Sequence, residues 1–274
     1  MHAVVPGPPG GGPMTGESSL HTTRLGESGP LVAFCHGLFG QGKNWTSIAK
    51  AVATDHRVLL VDMPNHGRSG WTDRFDYVDV ADRVAELFRA DDPVALVGHS
   101  MGGKAAMVLA LRHPELVERL CVVDIAPVGY RSASEFAGYI EAMQGLDLTR
   151  LEHRRDAERQ LTEAVPNPSV RGFLLQNLRR GDGGWAWQPN LGVLGRDLAI
   201  LGAWPEEQLD GLAPYPGRTL WIAGQNSRYV REEHTPAMER WFPRTRKVTI
   251  KGAGHWVHSE QPVVFTEVLR RFLA

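Results

Sequence analysis

The chain has 274 residues, of which 42% are hydrophobic, and its 30 basic and 31 acidic side chains leave a formal net charge of -1. This length fits one domain with an insertion better than two independent domains. The balanced charge gives no reason to expect nucleic acid or an anionic membrane as a partner. Because no apolar run reaches the roughly 20 residues that span a bilayer, we expect a cytoplasmic protein without a membrane span.

Residues 1–20 are rich in proline and glycine, and they lack the basic start and long apolar core of a secretory signal. We expect a flexible leader there, within which Met14 is a second candidate for the first residue. The two cysteines, Cys35 and Cys121, both lie in apolar runs typical of strands. Buried reduced thiols are therefore expected rather than a disulfide.

Short apolar runs alternate with helical patterns over residues 21–129, and further runs follow over residues 215–274. Such runs are typical of strands buried on both faces of a parallel sheet. They occupy residues 31–35, 56–62, 93–97, 120–127, 218–223 and 247–250. Between them, residues 78–90 carry apolar side chains at helical spacing, which predicts an amphipathic helix against the sheet. The pattern therefore predicts an α/β fold.

Residues 130–214 show a different pattern, in which helices follow one another without strands. They are predicted at residues 132–143, 151–164, 168–179 and 191–201. A helical insertion between strands of an α/β sheet is typical of a lid over the active edge. We therefore divide the chain into the leader, a core of residues 21–129 and 215–274, and a helical cap of residues 130–214.

The stretch around Ser100 has the pattern of a nucleophile on a sharp turn. A buried strand precedes it, and a helix-forming run follows from Lys104. Gly98 and Gly102 keep side chains out of the crowded space beside such a turn, where the backbone is strained. The helix N-terminus then lies next to the serine, so the N–H of Met101 is predicted to face negative charge on a substrate carbonyl oxygen.

A glycine-rich loop, His36-Gly37-Leu38-Phe39-Gly40, follows the first buried strand. Its glycines allow the loop to fold back over the sheet edge, so that the N–H of Leu38 becomes a second donor to that oxygen. For this loop alone, an ordinary turn is the alternative. Its occurrence together with the turn at Ser100 favours catalysis.

A serine hydroxyl needs a base within hydrogen-bond reach, and that base needs a carboxylate to orient it. His255 lies in a glycine-flanked loop after the last strand and is the predicted base, in preference to His258, which lacks adjacent glycines. Asp124 ends a buried strand at the edge where open α/β sheets place their chemistry, although capping a loop is its alternative role. His66, in a loop with glycine and proline, is expected to be structural. This chemistry requires no metal or cofactor.

The motifs HGLFG, NHGRS, GHSMGGK, DIAP and GxGH occur in this order over most of the chain. Together they resemble the α/β-hydrolase superfamily and, more narrowly, its small serine esterases of the abhydrolase-11-like type. The resemblance implies a mostly parallel eight-stranded sheet flanked by helices, with an inserted helical cap. It also implies Ser100 as the nucleophile and His255 as the base.

The chain departs from the superfamily where most members hold the acid of the triad. Their Gly-x-x-Asp loop follows the strand that ends here at Ala223, but this sequence has Ser227 in place of the aspartate. Related esterases place the acid one strand earlier, at the position of Asp124, and the loop serine joins the hydrogen bonds around the histidine. Glu232 and Glu233 are the alternative acids.

The expected function is hydrolysis of small to medium carboxylic esters, or thioesters, through an acyl-enzyme intermediate. The alternatives are a carbon–carbon bond hydrolase or lyase, an acyltransferase, and a non-catalytic ligand receptor. Charged side chains in the substrate pocket would favour the carbon–carbon hydrolase, the lyase or the acyltransferase. The candidates for such side chains near the motifs are Arg68, Lys104 and Arg228. Pro64 stands where the family usually has an arginine, which leaves the role of that loop open.

Aromatic side chains near the motifs are expected to line a substrate pocket. They are Phe39, Trp185, Trp187, Tyr229 and Trp256. For Trp185 and Trp187, packing within the cap is the alternative. We expect a monomer or a homodimer that binds a small-molecule ester and no nucleic acid.

Overall fold

The computed structural model describes residues 19–130 and 134–274, and the leader predicted for residues 1–20 lies almost entirely outside them. The strands are β1 (Thr22–Leu25), β2 (Leu31–Cys35), β3 (Arg57–Val61), β4 (Val94–His99), β5 (Val117–Val123), β6 (Leu178–Gly181), β7 (Gly184–Trp187), β8 (Arg218–Gly224) and β9 (Thr245–Ile250). The α-helices are α1 (Thr46–Val52), α2 (Tyr77–Ala85), α3 (Met101–Arg112), α4 (Ser134–Gln144), α5 (Arg154–Leu161), α6 (Pro168–Leu175), α7 (Leu191–Arg196), α8 (Leu198–Gly202), α9 (Thr235–Trp241), α10 (Val257–Glu260) and α11 (Pro262–Leu273). Within these ranges, no helix has both the length and the apolar character needed to cross a membrane.

Seven strands form one sheet in the order β1-β3-β2-β4-β5-β8-β9, and all neighbours are parallel except β1 and β3. The predicted α/β architecture is therefore confirmed. The expected count of eight strands is wrong for the described residues. The segment before β2 contributes only the four-residue strand β1 there, and β6 pairs with β7 in a separate hairpin.

Strand β4 lies at the centre of the sheet, and all six of its residues are buried. Val94 and Leu96 belong to a core that includes α2 and α3, whereas Ala95 and Val97 belong to a second core that includes α1 and α11. Successive side chains of a strand point to opposite faces. Because both faces are covered, residues 94–97 form a continuous apolar run rather than an alternating one.

The register of the sheet brings several strand ends to one edge. His99 pairs with Val123 across β4 and β5, and Val123 pairs with Ile222 across β5 and β8. Backbone bonds continue one residue further, from the Ser100 N–H to the Val123 carbonyl and from the Asp124 N–H to the Ile222 carbonyl. Ser100 and Asp124 therefore lie at adjacent strand ends.

The chain between β5 and β8 is less regular than its prediction as successive helices. The helix expected over residues 168–179 ends at Leu175, and the strands β6 and β7 lie between it and the next helix. Gly181 pairs with Gly184, so Asp182-Gly183 is a two-residue connection of the kind that favours hairpins. Local turn chemistry thus outweighs the helical spacing of the residues before it.

Gly102 lets the first turn of α3 approach the end of β2. A Cβ at this position would lie 2.4 Å from the His36 carbonyl oxygen and 2.6 Å from that of Cys35. Gly98 is equally confined, since its Cβ would lie 2.4 Å from the Gly102 carbonyl oxygen. Because these neighbours are backbone atoms, α3 and β2 would have to separate to admit a methyl group.

Among the described residues, four histidines are buried, namely His36, His66, His99 and His258. Burial, which disfavours the charged form, lowers the pKa of His36 to about 4 and those of His66 and His258 to about 3. It also lowers the pKa of His99 well below its usual value. All four imidazoles are therefore neutral at pH 7.

We predict that Gly102→Ala lowers the free energy of unfolding by about 1–3 kcal/mol, the usual cost of overpacking. Gly172→Ala is the matched control, because Gly172 is exposed in α6 and a Cβ there would meet nothing within 4 Å. That change should raise the free energy of unfolding by about 0.5–1 kcal/mol through helix propensity. Urea denaturation measures both, and equal effects would contradict the role given to Gly102.

We predict that acid destabilises the fold below pH 6.5 through the buried histidines. In the unfolded chain each takes up a proton near pH 6.5, whereas His36, His66 and His258 stay neutral in the folded chain down to about pH 4 or below. The free energy of unfolding is therefore highest above pH 6.5 and decreases as the pH falls, by about 2 kcal/mol per histidine at pH 5. Urea denaturation between pH 7 and pH 5 measures this loss.

The variant His258→Leu tests the cause of that loss. It removes one titrating group and keeps a similar side-chain volume, so the free energy of unfolding should fall less steeply with pH than in the wild type. A wild-type free energy that does not change over this range would show that the histidines have no such effect.

Candidate active site

Ser100 occupies the turn between β4 and α3, with φ 52° and ψ −119°. A non-glycine residue in such a conformation is strained by about 1–3 kcal/mol and persists only where its surroundings hold it. The Ser100 N–H donates to the Val123 carbonyl at 3.1 Å, and the Ser100 carbonyl accepts from the Lys104 N–H at 3.0 Å. These bonds anchor the strained residue to β5 on one side and to α3 on the other.

Three side chains form a continuous chain of hydrogen bonds. His255 Nε2 lies 3.0 Å from Ser100 Oγ, and His255 Nδ1 lies 2.7 Å from Asp124 Oδ2. When Nδ1 donates its proton to the carboxylate, Nε2 is left to accept the proton of the serine hydroxyl. The structure thus brings together the predicted nucleophile, base and acid from three separate strand ends.

Asp124 is fully buried, and its carboxylate has donors on both oxygens. The Gly224 N–H donates to Oδ1 at 3.0 Å, and the Ser227 hydroxyl donates to Oδ2. Ser227 Oγ in turn accepts from the Tyr229 N–H at 3.2 Å. These hydrogen bonds offset part of the cost of burying a carboxylate. Ser227 therefore lies in the same network as His255.

The two alternative acids lie elsewhere. The Glu232 side chain is 91% exposed and forms an ion pair with Lys247 at 3.3 Å. Glu233 is also exposed and lies 3.5 Å from Arg231. Neither glutamate bonds to His255 in the part of the chain that the structure describes. The reason is that both start the short helical turn before α9, several residues beyond the end of β8.

Several contacts fix His255 in place. The Tyr229 ring stacks on its imidazole, with centroids 4.1 Å apart and an angle of 29° between the planes. His99 Nε2 donates to the His255 carbonyl at 2.8 Å. The Glu260 carboxylate accepts from the backbone N–H groups on either side of His255, at 2.7 and 3.2 Å. His99 lies within the GHSMGGK motif and Glu260 lies outside the motifs, but both hold the His255 loop through its backbone atoms, a role that no sequence pattern indicates.

His258, the competing base, faces the core instead of the serine. Its ring stacks on Trp45, with centroids 4.1 Å apart, and contacts Phe265. His258 is the second residue of the short helix α10, and its imidazole faces α11. This placement agrees with a packing role.

The glycine-rich loop of residues 36–40 lies directly beside Ser100. A Cβ on Gly37 would lie 3.2 Å from Ser100 Cβ. The loop closes through a hydrogen bond from the Gly40 N–H to the Gly37 carbonyl, and it passes through Phe39 in the left-handed region, with φ 59°. The loop therefore turns back over the sheet edge, as its glycines predicted.

Leu38 and Met101 carry the two backbone amides predicted to face the oxyanion. Both residues line a cavity that also contains Ser100. Met101 is the first residue of α3, and the first N–H groups of a helix have no partner within it. The positive end of the helix dipole lies at the same point, so this side of Ser100 favours negative charge.

Asn177, which belongs to the inserted segment and matches no sequence motif, holds the glycine-rich loop. It is fully buried, donates to the Phe39 carbonyl at 2.8 Å and accepts from the Gln41 side chain at 2.6 Å. Gln41 and Asn177 are 136 residues apart, so no local pattern relates them. The contact ties the loop beside Ser100 to the end of α6.

Two cavities meet at Ser100 and Leu38. Prominent residues of the first are Tyr77, Lys104, Tyr130, Phe136, Leu201 and Tyr229. Prominent residues of the second are Phe39, Phe136, Tyr139, Phe173, His255 and Trp256. Both are lined mainly by apolar side chains. A larger groove beside the start of β8 and β9 contains none of these residues.

The structure favours the alternative given for Trp185 and Trp187, which is packing within the cap. Neither contributes to the two cavities at Ser100, whereas Phe39, Tyr229 and Trp256 do. Both indoles pack on a small core formed by the inserted segment, and Trp187 packs against the main core as well. Trp187 Nε1 donates to the Met143 carbonyl at 2.8 Å, which ties β7 to α4.

Comparison with known proteins gives a consistent result. A family model described as alpha/beta hydrolase fold matches residues 30–262. The chain is 40% identical over 253 residues to the sn-1-specific diacylglycerol lipase ABHD11 of Mus musculus, which covers 89% of this chain and 81% of that protein. It is 32% identical over 246 residues to the esterase YbfF of Escherichia coli (strain K12), covering 88% of this chain and 92% of that protein.

A solved structure shows the same architecture. The marine microorganism esterase superposes with a TM-score of 0.88 and is 33% identical, covering 93% of this chain and 100% of that chain. In the residues described here, no group of three or more histidine, cysteine or acidic side chains could hold a metal ion. The fold, the motifs and these relatives together show that the chain belongs to the α/β-hydrolase family and is, within it, an abhydrolase-11-like carboxylic ester hydrolase.

Proposed function

We propose that this chain hydrolyses small to medium carboxylic esters or thioesters through an acyl-enzyme formed on Ser100. The observation that carries the proposal is the unbroken chain of hydrogen bonds from Ser100 through His255 to Asp124. A serine hydroxyl is a weak nucleophile unless a base takes its proton. The imidazole at 3.0 Å supplies that base.

In the first half of the reaction, Ser100 Oγ bonds to the ester carbonyl carbon while its proton moves to His255 Nε2. The carbonyl oxygen becomes an oxyanion, which the N–H groups of Leu38 and Met101 stabilise. The intermediate then collapses, the bond to the leaving oxygen breaks, and His255 gives its proton to that oxygen. The alcohol departs and the acyl group stays on Ser100.

In the second half, water replaces the alcohol. His255 takes a proton from the water as its oxygen attacks the acyl carbon, and the proton then returns to Ser100 as the carboxylic acid leaves. Asp124 keeps Nδ1 protonated and stabilises the imidazolium in both halves. Ser227 and Gly224 fix the carboxylate in the orientation that this requires.

The two cavities would hold different parts of the ester. His255 lines the second cavity and must protonate the leaving oxygen, so we assign the alcohol to that cavity and the acyl group to the first. Residues of α4, α6 and α8, including Phe136, Phe173 and Leu201, line these cavities. This supports the division of the chain with residues 130–214 as a cap that shapes the substrate pocket. A glycerol ester, the substrate type in the name of the mouse relative, is one candidate.

We predict that Ser100→Ala lowers kcat for a chromogenic ester by about 10⁴-fold or more, because it removes the nucleophile. A panel of 4-nitrophenyl esters of graded acyl length, assayed with purified wild type and variant, measures the effect. In the wild type, a burst of nitrophenol before steady state would show the acyl-enzyme directly. Equal turnover by both proteins would rule out the serine mechanism.

We predict that Asp124→Asn lowers kcat by about 10⁴-fold, because an amide would favour the wrong imidazole tautomer. Glu232→Gln is the matched control, since it also neutralises one carboxylate and that side chain is exposed. It should change kcat less than about twofold. Ser227→Ala should lie between the two, because it removes one donor and leaves the carboxylate. If Glu232→Gln proved the more harmful of the two carboxylate changes, the acid would have to be reassigned to the later loop.

A further inference from the structure

Lys104 is a buried amine close to the nucleophile. Its residue is 1% exposed, and it follows Ser100 by one turn of α3. Burial lowers its pKa to about 7, and no nearby carboxylate counteracts this in the described part of the chain. Burying an unpaired ammonium group is expensive. The position of this cation therefore requires an explanation.

Contacts with the inserted segment partly offset the cost of burying the Lys104 amine. Lys104 Nζ donates to the Gly202 carbonyl at 2.7 Å and to the Ala203 carbonyl at 2.6 Å. These carbonyls lie at the C-terminal end of α8, and the Gly202 carbonyl also accepts from the Tyr130 N–H at 2.8 Å. An ammonium group has three N–H donors. Within residues 19–130 and 134–274, one donor and the positive charge are thus left without a hydrogen-bonding partner.

The tyrosines that face the amine cannot supply that partner. Tyr77, on α2, donates its hydroxyl to the Leu201 carbonyl at 2.8 Å, and Tyr130, after β5, donates to the Tyr229 carbonyl at 2.5 Å. Their ring centroids lie 5.8 and 4.9 Å from Lys104 Nζ, which gives only a weaker contact with the ring faces. Burial raises the pKa of both phenols well above their usual value, so neither becomes an anion.

We propose that the Lys104 amine binds a carboxylate on the acyl part of the substrate, so that the enzyme prefers half-esters of dicarboxylic acids. The proposal rests on acyl transfer at Ser100. Lys104, Tyr77 and Tyr130 all line the first cavity, which is otherwise mainly apolar. An anionic oxygen that enters this cavity has the amine as its charged donor. Ser100 and Lys104 line the same cavity, and an adipate half-ester places a carboxylate at the far end of the acyl chain that Ser100 would carry.

Three chromogenic esters test this preference. Mono-4-nitrophenyl adipate carries the carboxylate, methyl 4-nitrophenyl adipate carries a neutral acceptor of similar shape, and 4-nitrophenyl hexanoate carries neither. At pH 6, we expect kcat/KM for the anionic ester to exceed that for each neutral ester by about tenfold or more, the usual worth of a hydrogen bond to a charged group. Equal values for the anionic and methyl esters would overturn the proposal.

The pH dependence gives a test that needs no variant. The Lys104 amine loses its proton as the pH rises through about 7. The ratio of kcat/KM for the anionic ester to that for the hexanoate should therefore fall above pH 7, because kcat/KM reports ionisation of the free enzyme. His255 acts on both substrates and cancels in the ratio. A ratio that stays constant from pH 6 to pH 9 would contradict a role for the amine.

Variants then assign the effect to one residue. Lys104→Met should lower the ratio at pH 6 by about tenfold and make it independent of pH. Arg68→Met is the matched control, because Arg68 is another cation near the motifs but is exposed and lines neither cavity. It should keep the wild-type ratio. If Lys104→Met does not fold, the wild-type pH profile decides.

The same assays separate failure of this proposal from failure of the proposed function. If Ser100→Ala abolishes hydrolysis of all three esters but the wild-type ratio is near one, the acyl-enzyme mechanism stands and the Lys104 site does not. If Ser100→Ala still hydrolyses the esters, the mechanism itself fails, whatever the ratio is.

Discussion

The hydrogen-bond register of β4, β5 and β8 is the constraint on which the site depends. It aligns the strand ends so that the backbone of Ser100 bonds to β5 and the backbone of Asp124 bonds to β8. A slip of one residue in either pair would turn every side chain of that strand to the other face of the sheet. Since both faces of β4 are packed, the register cannot slip without exposing or overfilling a core.

The sheet holds two residues of the site in strained backbone conformations. Ser100 and Asp124 both have positive φ values, 52° and 51°, at the points where the chain leaves adjacent strands. Each strained residue is held by a backbone bond to the next strand, so the packing energy of the sheet offsets the strain. The result is a hydroxyl and a carboxylate presented at the same edge, to which the loop carrying His255 adds the imidazole.

The second half of the site comes from the inserted segment. Asn177 binds the loop beside the nucleophile, Lys104 binds the end of α8, and residues of α4 and α6 close the cavities. The hydrogen bonds around the triad acid also join two separate parts of the chain. Asp124 provides the charge from β5, and Ser227 occupies the loop after β8, where the charge would usually be, and donates a hydrogen bond to it.

Much of this could be predicted from the sequence, because the relevant signals are local. The continuous apolar run of β4, the glycines at 98 and 102, and the serine between strand and helix together determined the turn, and Ser227 in the place of an aspartate pointed to Asp124. Only the tertiary structure decided that Trp185 and Trp187 pack within the insertion and that Glu260, His99 and Asn177 support the site. It also decided that Lys104 lines a cavity to which no acidic side chain of the described residues contributes. The physical reason is distance along the chain. Periodicity and steric rules act over a few residues, whereas these contacts depend on how separately folded segments pack.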